Sequence, residues 1–412
     1  MKIVIVNTFD TEGGAARAAY RLHRALLDEG VESTMLVQSK SSHDETVIEA
    51  TTKLQKTFVQ RRSGLDFLPV RLYKERAKTP FSPAWLGLRN LADTINAMEP
   101  DVVHLHWVTG GMLRIEDILH IKAPIVWSMH DNWLFTGGCH IKWECNLYKN
   151  QCGTCPKLNS THSNDLSRWV WKRKEKIFAR VPNMTVVGLS RWITDTAKES
   201  NLLNKHTIVN LPNPINTHIF KPFDKNLSRE RWNFPLNKKL VLFGAMSATS
   251  DINKGFHELS QALVLIQEEN IELVIVGSSR PKDFQDFKFK THYFGHLNDD
   301  TSLITIYSAV DIVILPSLQE NLSNTIMESL ACGTPVVAFD TGGNSDMIEH
   351  KKTGYLAKPF EIKDLADGID WLLKTPNYDD LCRNAREKIL REFDGAVVAH
   401  KYLDLYRCVL NV

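Results

Sequence analysis

Short runs of consecutive apolar residues alternate along this chain with stretches whose apolar residues recur every three to four positions. Ile3–Val6 opens the series. A helical pattern follows from about Ala15 to Glu29, with Ala18, Leu22, Ala25 and Leu26 on one face and Gly30 as its stop. Met35-Leu36-Val37, Asp101–Leu105, Ile125–Ser128 and Thr185–Gly188 continue the run of short strands. At Asn210-Leu211-Pro212-Asn213-Pro214-Ile215-Asn216 the alternation breaks, and prolines and asparagines make a linker. It restarts with Leu240–Gly244, Leu273–Gly277, Ile312–Leu315 and Pro335–Ala338. Strands that alternate with helices predict parallel sheets. Two such sets predict an α/β chain of two Rossmann-like domains, over 1–211 and 212–392, whose sheets face a shared cleft. Ligands are expected beyond the carboxyl ends of the strands. A last helix is expected within 393–412, with Val398, Tyr402, Leu405 and Val409 on its apolar side.

Composition narrows the function classes. The 412 residues carry 50 basic and 48 acidic side chains, a net charge of +2, which gives no general attraction to nucleic acid. No apolar run approaches the roughly 18–20 residues of a membrane span. The opening apolar stretch is too short for a signal-peptide core, so a cytosolic protein is expected. Seven cysteines, an odd number with four in one cluster, do not read as an extracellular disulfide framework. Two stretches are locally basic. Residues 39–95 interleave Lys53, Lys56, Arg61, Arg62, Arg71, Lys74, Arg76 and Lys78 with apolar residues, and 168–176 reads Arg-Trp-Val-Trp-Lys-Arg-Lys-Glu-Lys. Either is expected to touch an anionic membrane surface peripherally or to be a solvated helix face.

The strongest chemistry lies after the strand Val310–Leu315. Glu320 falls in the loop beyond Pro316, and Glu328 in the first turns of the next helix. Between them Ser323, Asn324 and Thr325 suit a helix start whose N–H groups hold a phosphate. The segment thus offers two hydroxyl acceptors around a phosphate seat, as a sugar nucleotide requires. Thr325-x-x-Glu328 also spells a capping box. Lys254-Gly255 follows the strand ending at Gly244, where a fixed cation would stabilise a leaving diphosphate. Gly13-Gly14 lies in the first strand-to-helix turn without the full G-x-G-x-x-G fingerprint, which speaks against a dehydrogenase. His130 follows the strand Ile125–Ser128 and could bond a sugar hydroxyl. Cys139, Cys145, Cys152 and Cys155, spaced C-x5-C-x6-C-x2-C in the loop 137–158, suit a closed, structural zinc site, with His140 as a substitute ligand.

Together these motifs resemble glycosyltransferase family four, the retaining sugar-nucleotide enzymes of the GT-B fold, over nearly the whole chain. Glu320 through Glu328 resemble the E-x7-E motif, followed by the similar Ala331–Ala338 and Gly342-Gly343. The resemblance implies that Glu320 binds donor-sugar hydroxyls and Glu328 the ribose, and that Asn324 and Thr325 cradle the diphosphate. It likewise implies that Lys254 contacts phosphate, that Gly13-Gly14 is the glycine turn, and that His130 is the active-site histidine. Tyr293–Leu297 resembles the segment lining the nucleobase pocket, so Leu297 is included. Ser247 stands in the loop where many members carry a second phosphate cation, and Glu320-Asn321-Leu322-Ser323 replaces the usual E-x-F-G. The cysteine cluster resembles that of some bacterial surface-polysaccharide enzymes. The implied reaction takes a sugar from a nucleotide-diphosphate sugar to a glycan or lipid-linked acceptor, with no cofactor for catalysis. The last helix is expected to cross back to the first domain. A sugar-nucleotide epimerase or phosphorylase of similar shape, and a zinc-bearing nucleic-acid-binding protein, are the competing readings.

Overall fold

The computed structural model describes residues 1–50, 61–181, 183–245, 249–277, 287–297 and 299–411. Lys53 and Lys56 of the first basic stretch, and Ser247, lie outside them. The chain divides into two compact units, Met1–Pro214 with Val398–Val412, and Ile215–Val397.

The first unit holds a parallel sheet of β1 (Lys2–Phe9), β2 (Glu32–Ser39), β3 (Val47–Glu49), β4 (Val102–Leu105), β5 (Ile125–Met129), β6 (Met184–Gly188) and β7 (Thr207–Asn210), in the order β3-β2-β1-β4-β5-β6-β7. Ile3, Val4, Ile5 and Val6 are fully buried, as a central parallel strand covered on both faces requires. The helix Gly14–Asp28 turns Ala18, Leu22, Ala25 and Leu26 inward, as its periodicity predicts. The final helix, Gly395–Leu410, buries Val398, Ala399, Tyr402, Leu403 and Tyr406. Leu405 and Val409 are only half-buried, so the inner face is set by Tyr406 rather than by these two.

The second unit repeats the plan with β8 (Lys239–Gly244), β9 (Ile271–Val276), β10 (Thr291–Phe294), β11 (Ile312–Leu315), β12 (Val336–Phe339) and β13 (Gly354–Ala357), all parallel in the order β10-β9-β8-β11-β12-β13. Both sheets therefore reverse their strand order beside the first strand, between β1 and β4 and between β8 and β11. That is where doubly wound sheets leave a crevice for ligands.

Two cations of the second basic stretch are structural, while Lys172 and Lys176 are exposed. In the helix Leu166–Phe178, Lys174 is fully buried with its ammonium on the carbonyls of Trp133 and Thr136. Arg173 caps the carbonyls of Pro83 and Ala84 and forks onto Glu116 at 2.7 and 2.8 Å. These cations are committed to the fold, which removes them from the expected membrane contact. Among the described residues no helix is long and apolar enough to cross a membrane.

Candidate active site

In the second unit the loops after β8 and β11 are sewn together. Leu318 donates its backbone N–H to Asn253 O at 2.9 Å, and the Asn253 amide returns a bond to Gln319 O at 2.8 Å. This lacing brings Lys254 to Glu320, Nζ to Oε2 at 3.2 Å, at the crevice of the sheet. The Glu320 carboxylate, working against burial, holds the Lys254 ammonium above its ordinary pKa. Two glycines permit the approach. A Cβ on Gly255, at φ +72°, would lie 1.9 Å from Pro316 O, and one on Gly342, at φ +59°, 1.6 Å from Glu320 O. Lys254 and Glu320 were recognised as separate motifs; the structure makes them one ion pair.

The helix Asn324–Ala331 starts beyond Glu320. Its N-cap is Ser323, whose hydroxyl accepts from Ile326 N at 3.4 Å. The capping-box reading of Thr325 and Glu328 therefore fails: with Ser323 as cap, the box position is Ile326. Glu328 is buried and accepts instead from the Tyr307 hydroxyl at 3.1 Å. Asn324 and Thr325 occupy the opening turn with half-buried side chains. Leu297, half-buried, follows the edge strand β10.

In the first unit the corresponding crevice lies beyond β1 and β4. Gly13, at φ +89°, precedes Gly14 and the helix start, and nothing stands within 4 Å of where its side chain would be. His130 follows β5, and its Nε2 lies 2.8 Å from Nδ1 of His106, the residue after β4. Behind this pair His104 stacks on His106 at 4.2 Å between ring centres. Both ring nitrogens of His104 are engaged, Nδ1 with the Tyr406 hydroxyl at 2.7 Å and Nε2 with Ser128 Oγ at 2.8 Å. Burial pushes His104 down to about 3 and His130 to about 4, and His106 well below the usual range, so all three rings are neutral at physiological pH. The sequence reading missed His104, His106 and Tyr406. A histidine on alternate positions of an otherwise apolar strand was the available signal.

The cysteine loop is tied to the same strand end. Asp131 accepts from Trp107 Nε1 at 3.0 Å and Trp133 N at 2.8 Å, and lies 2.6 Å from His140 Nδ1. Burial pushes its pKa up, but these partners together pull it below the ordinary carboxylate value, so the carboxylate stays ionised. His140 Nε2 bonds Ser82 Oγ at 2.8 Å. With both nitrogens engaged, His140 does not serve as a substitute metal ligand. Cys139, Cys145, Cys152 and Cys155 line one pocket with Lys142 and Lys157, and all four are free thiols. Burial, reinforced by Cys155, pushes the Cys139 thiol up to about 12. Among the described residues no group of three or more His, Cys, Asp or Glu is arranged to hold a metal ion.

Comparison with known proteins matches both halves of the chain. Residues 12–219 match the family model Glycosyltransferase Family 4, and residues 224–389 match Glycosyl transferases group 1. The chain is 24% identical over 341 residues to an uncharacterised glycosyltransferase of Methanocaldococcus jannaschii, covering 76% of this chain and 84% of that one. It is 23% identical over 241 residues to the capsular polysaccharide biosynthesis glycosyltransferase CapM of Staphylococcus aureus, 55% of this chain and 62% of CapM. Among solved structures, sucrose-phosphate synthase from Thermosynechococcus elongatus superposes with TM-score 0.71 at 18% identity over 100% of both chains. Anabaena HepE in complex with UDP-glucose does so at 0.65 and 15%, over 99% of this chain and 100% of HepE. Both halves being matched by glycosyltransferase models, the epimerase and nucleic-acid-binding readings give way. The chain belongs to glycosyltransferase family 4, and its two parallel sheets are those of the GT-B fold.

Proposed function

We propose that this chain is a retaining glycosyltransferase that moves a sugar from a nucleotide-diphosphate sugar to a hydroxyl of a glycan or lipid-linked acceptor, in the synthesis of a surface polysaccharide. The observation that carries the reading is the Lys254–Glu320 pair at the crevice of the second sheet, beside an open helix start. On donor binding, the Glu320 carboxylate accepts from sugar hydroxyls and Lys254 turns to the diphosphate. Glu328, aligned by Tyr307, accepts from the ribose. As the bond from the anomeric carbon to phosphate breaks, negative charge grows on the diphosphate, and Lys254 with the amides near Asn324 stabilises it more than the ground state. The acceptor oxygen bonds to the anomeric carbon on the face the phosphate leaves, and its proton passes to the departing phosphate oxygen. No step needs a divalent metal. HepE, solved with UDP-glucose, and CapM, named for capsular polysaccharide, support the donor and pathway classes. A thermal-shift screen against UDP-, GDP-, ADP- and dTDP-sugars, followed by transfer assays, tests this. Absence of stabilisation by every sugar nucleotide would reject it.

We propose also that the four thiols of the 137–158 loop take up zinc as a structural staple. The support is their shared pocket, the Gly137 N–H aimed at Cys152 Sγ at 3.2 Å, and two lysines on the wall to offset thiolate charge. Zinc takes thiolate ligands, so binding would release protons and its affinity should rise with pH. Metal analysis of protein purified without chelator should find about one zinc per chain; zinc-free protein with four titratable thiols would reject the site.

A further inference from the structure

We propose that His106 is a positioning residue that holds His130 in the tautomer carrying its proton on Nδ1, so that His130 meets substrate as a hydrogen-bond donor and not as a base. The role toward substrate rests on the transferase reading above; the tautomer does not.

The two rings share one hydrogen bond, His106 Nδ1 to His130 Nε2 at 2.8 Å, and that bond needs one proton. Both rings are neutral, so each has a single N–H to place. Two arrangements satisfy the bond. If His130 donates from Nε2, His106 accepts at Nδ1 and carries its own proton on Nε2. That nitrogen is buried and has no hydrogen-bond partner among the described residues. If His106 donates from Nδ1, its Nε2 is a bare lone pair instead. Orphaned buried N–H groups are rarer than under-used acceptors. The second arrangement is therefore favoured, and it leaves the proton of His130 on Nδ1.

His106 has no freedom to evade this choice. It is 3% exposed. Its backbone N–H donates to Val6 O at 3.0 Å, and its carbonyl accepts from Trp127 Nε1 at 3.1 Å. The ring lies against His104, itself fixed from both sides by Tyr406 and Ser128. A rigid, buried donor behind an active-site histidine fits front-side transfer. There the departing phosphate removes the acceptor's proton, and a histidine base beside it would be superfluous, whereas a neutral N–H can bond a sugar hydroxyl throughout.

The test uses full-length protein labelled with ¹⁵N-histidine. Two-bond ¹H–¹⁵N correlation spectra distinguish the tautomers of the 15 histidines, with His130→Gln and His106→Asn used for assignment. The expected result is a protonated Nδ1 and a bare Nε2 on His130. A proton on Nε2 of His130 would overturn the proposal. Transfer assays follow with the sugar nucleotide that scores in the thermal-shift screen. His106→Asn, whose amide N–H stands where Nδ1–H stood, should keep kcat within about threefold, while His106→Leu should lower kcat about tenfold to a hundredfold at little changed KM. Equal losses in the two variants would assign His106 a packing role only. Should the Leu variant not fold, the tautomer in the parent protein decides alone. If no sugar nucleotide is accepted, the transferase reading fails while the spectra still decide the tautomer.

Discussion

Glu320→Gln keeps the size of the side chain and removes its charge, which leaves Lys254 with its counter-ion gone. At 3.2 Å, two unit charges in an effective dielectric near 20 attract by about 5 kcal/mol, an upper bound. The side chains keep 23% and 18% of their surface exposed, and Gln still accepts a hydrogen bond, so the net loss is about 1–3 kcal/mol. For a unit of this size that corresponds to a fall in Tm of about 3–10 °C. A double-mutant cycle with Lys254→Met isolates the pair, because Lys254→Met on the Glu320→Gln background should cost little more. The reading also fixes a contrast in binding. Glu320 competes with the diphosphate for Lys254, so the variant should bind the free nucleoside diphosphate no more weakly than the parent while transfer is lost. Thermal unfolding, titration calorimetry with the nucleoside diphosphate and a coupled transfer assay give the three numbers. An unchanged Tm with a coupling energy under about 0.3 kcal/mol, or near-normal transfer by the folded variant, would refute the reasoning.

Acid should unfold the first unit early. His23, bonded to Ser33 Oγ and Thr46 Oγ1 at 2.8 Å each, is pushed by burial to about 4, beside His104 at about 3 and His130 at about 4. Folded values below the unfolded value of about 6.5 mean stability present above that pH and lost as pH falls through the folded values. His23 alone should cost about 2 kcal/mol between pH 7 and pH 5, and urea midpoints for His23→Gln should fall correspondingly less over that range. Gly255→Ala places a Cβ 1.9 Å from Pro316 O at a positive φ, which should cost about 2–4 kcal/mol and displace Lys254 from Glu320. Gly30→Ala, with a similar φ of +75° but open space, should cost only about 1 kcal/mol by the same unfolding measurement. Equal costs for the two would show that backbone angle, not contact, governs Gly255.

The central strands were legible because strands buried on both faces read as unbroken apolar runs. β3, β7, β10 and β13 were not read as strands. All four are sheet edges; β3, β7 and β10 mix polar with apolar residues and are partly exposed, and β13 is only Gly-Tyr-Leu-Ala, with no β-branched side chain to mark it. Glu320 and Lys254 were found one at a time; their pairing depends on Asn253 lacing two loops, a contact across 66 positions. The role of Glu328 was blurred by a local spelling, Thr325-x-x-Glu328, that the true cap at Ser323 sets aside. His106, just past the end of a strand, drew no attention as a lone histidine, and only the adjacency of β4 and β5 reveals it as the neighbour of His130. The cysteine cluster was legible in the sequence as a spacing; the pocket that its four side chains share with Lys142 and Lys157 depends on how the loop folds.

The bond between His104 and the Tyr406 hydroxyl joins residues 302 positions apart. On a ribosome the first sheet emerges long before the helix that closes over His104, and at about 5–20 residues per second the wait is of the order of 15–60 s. Through that interval the core beneath His104 lacks Tyr402 and Tyr406, two of its largest fully buried side chains. The first unit therefore cannot complete its core until that helix is made, and the helix acts as the latch that fixes the histidine array behind His130.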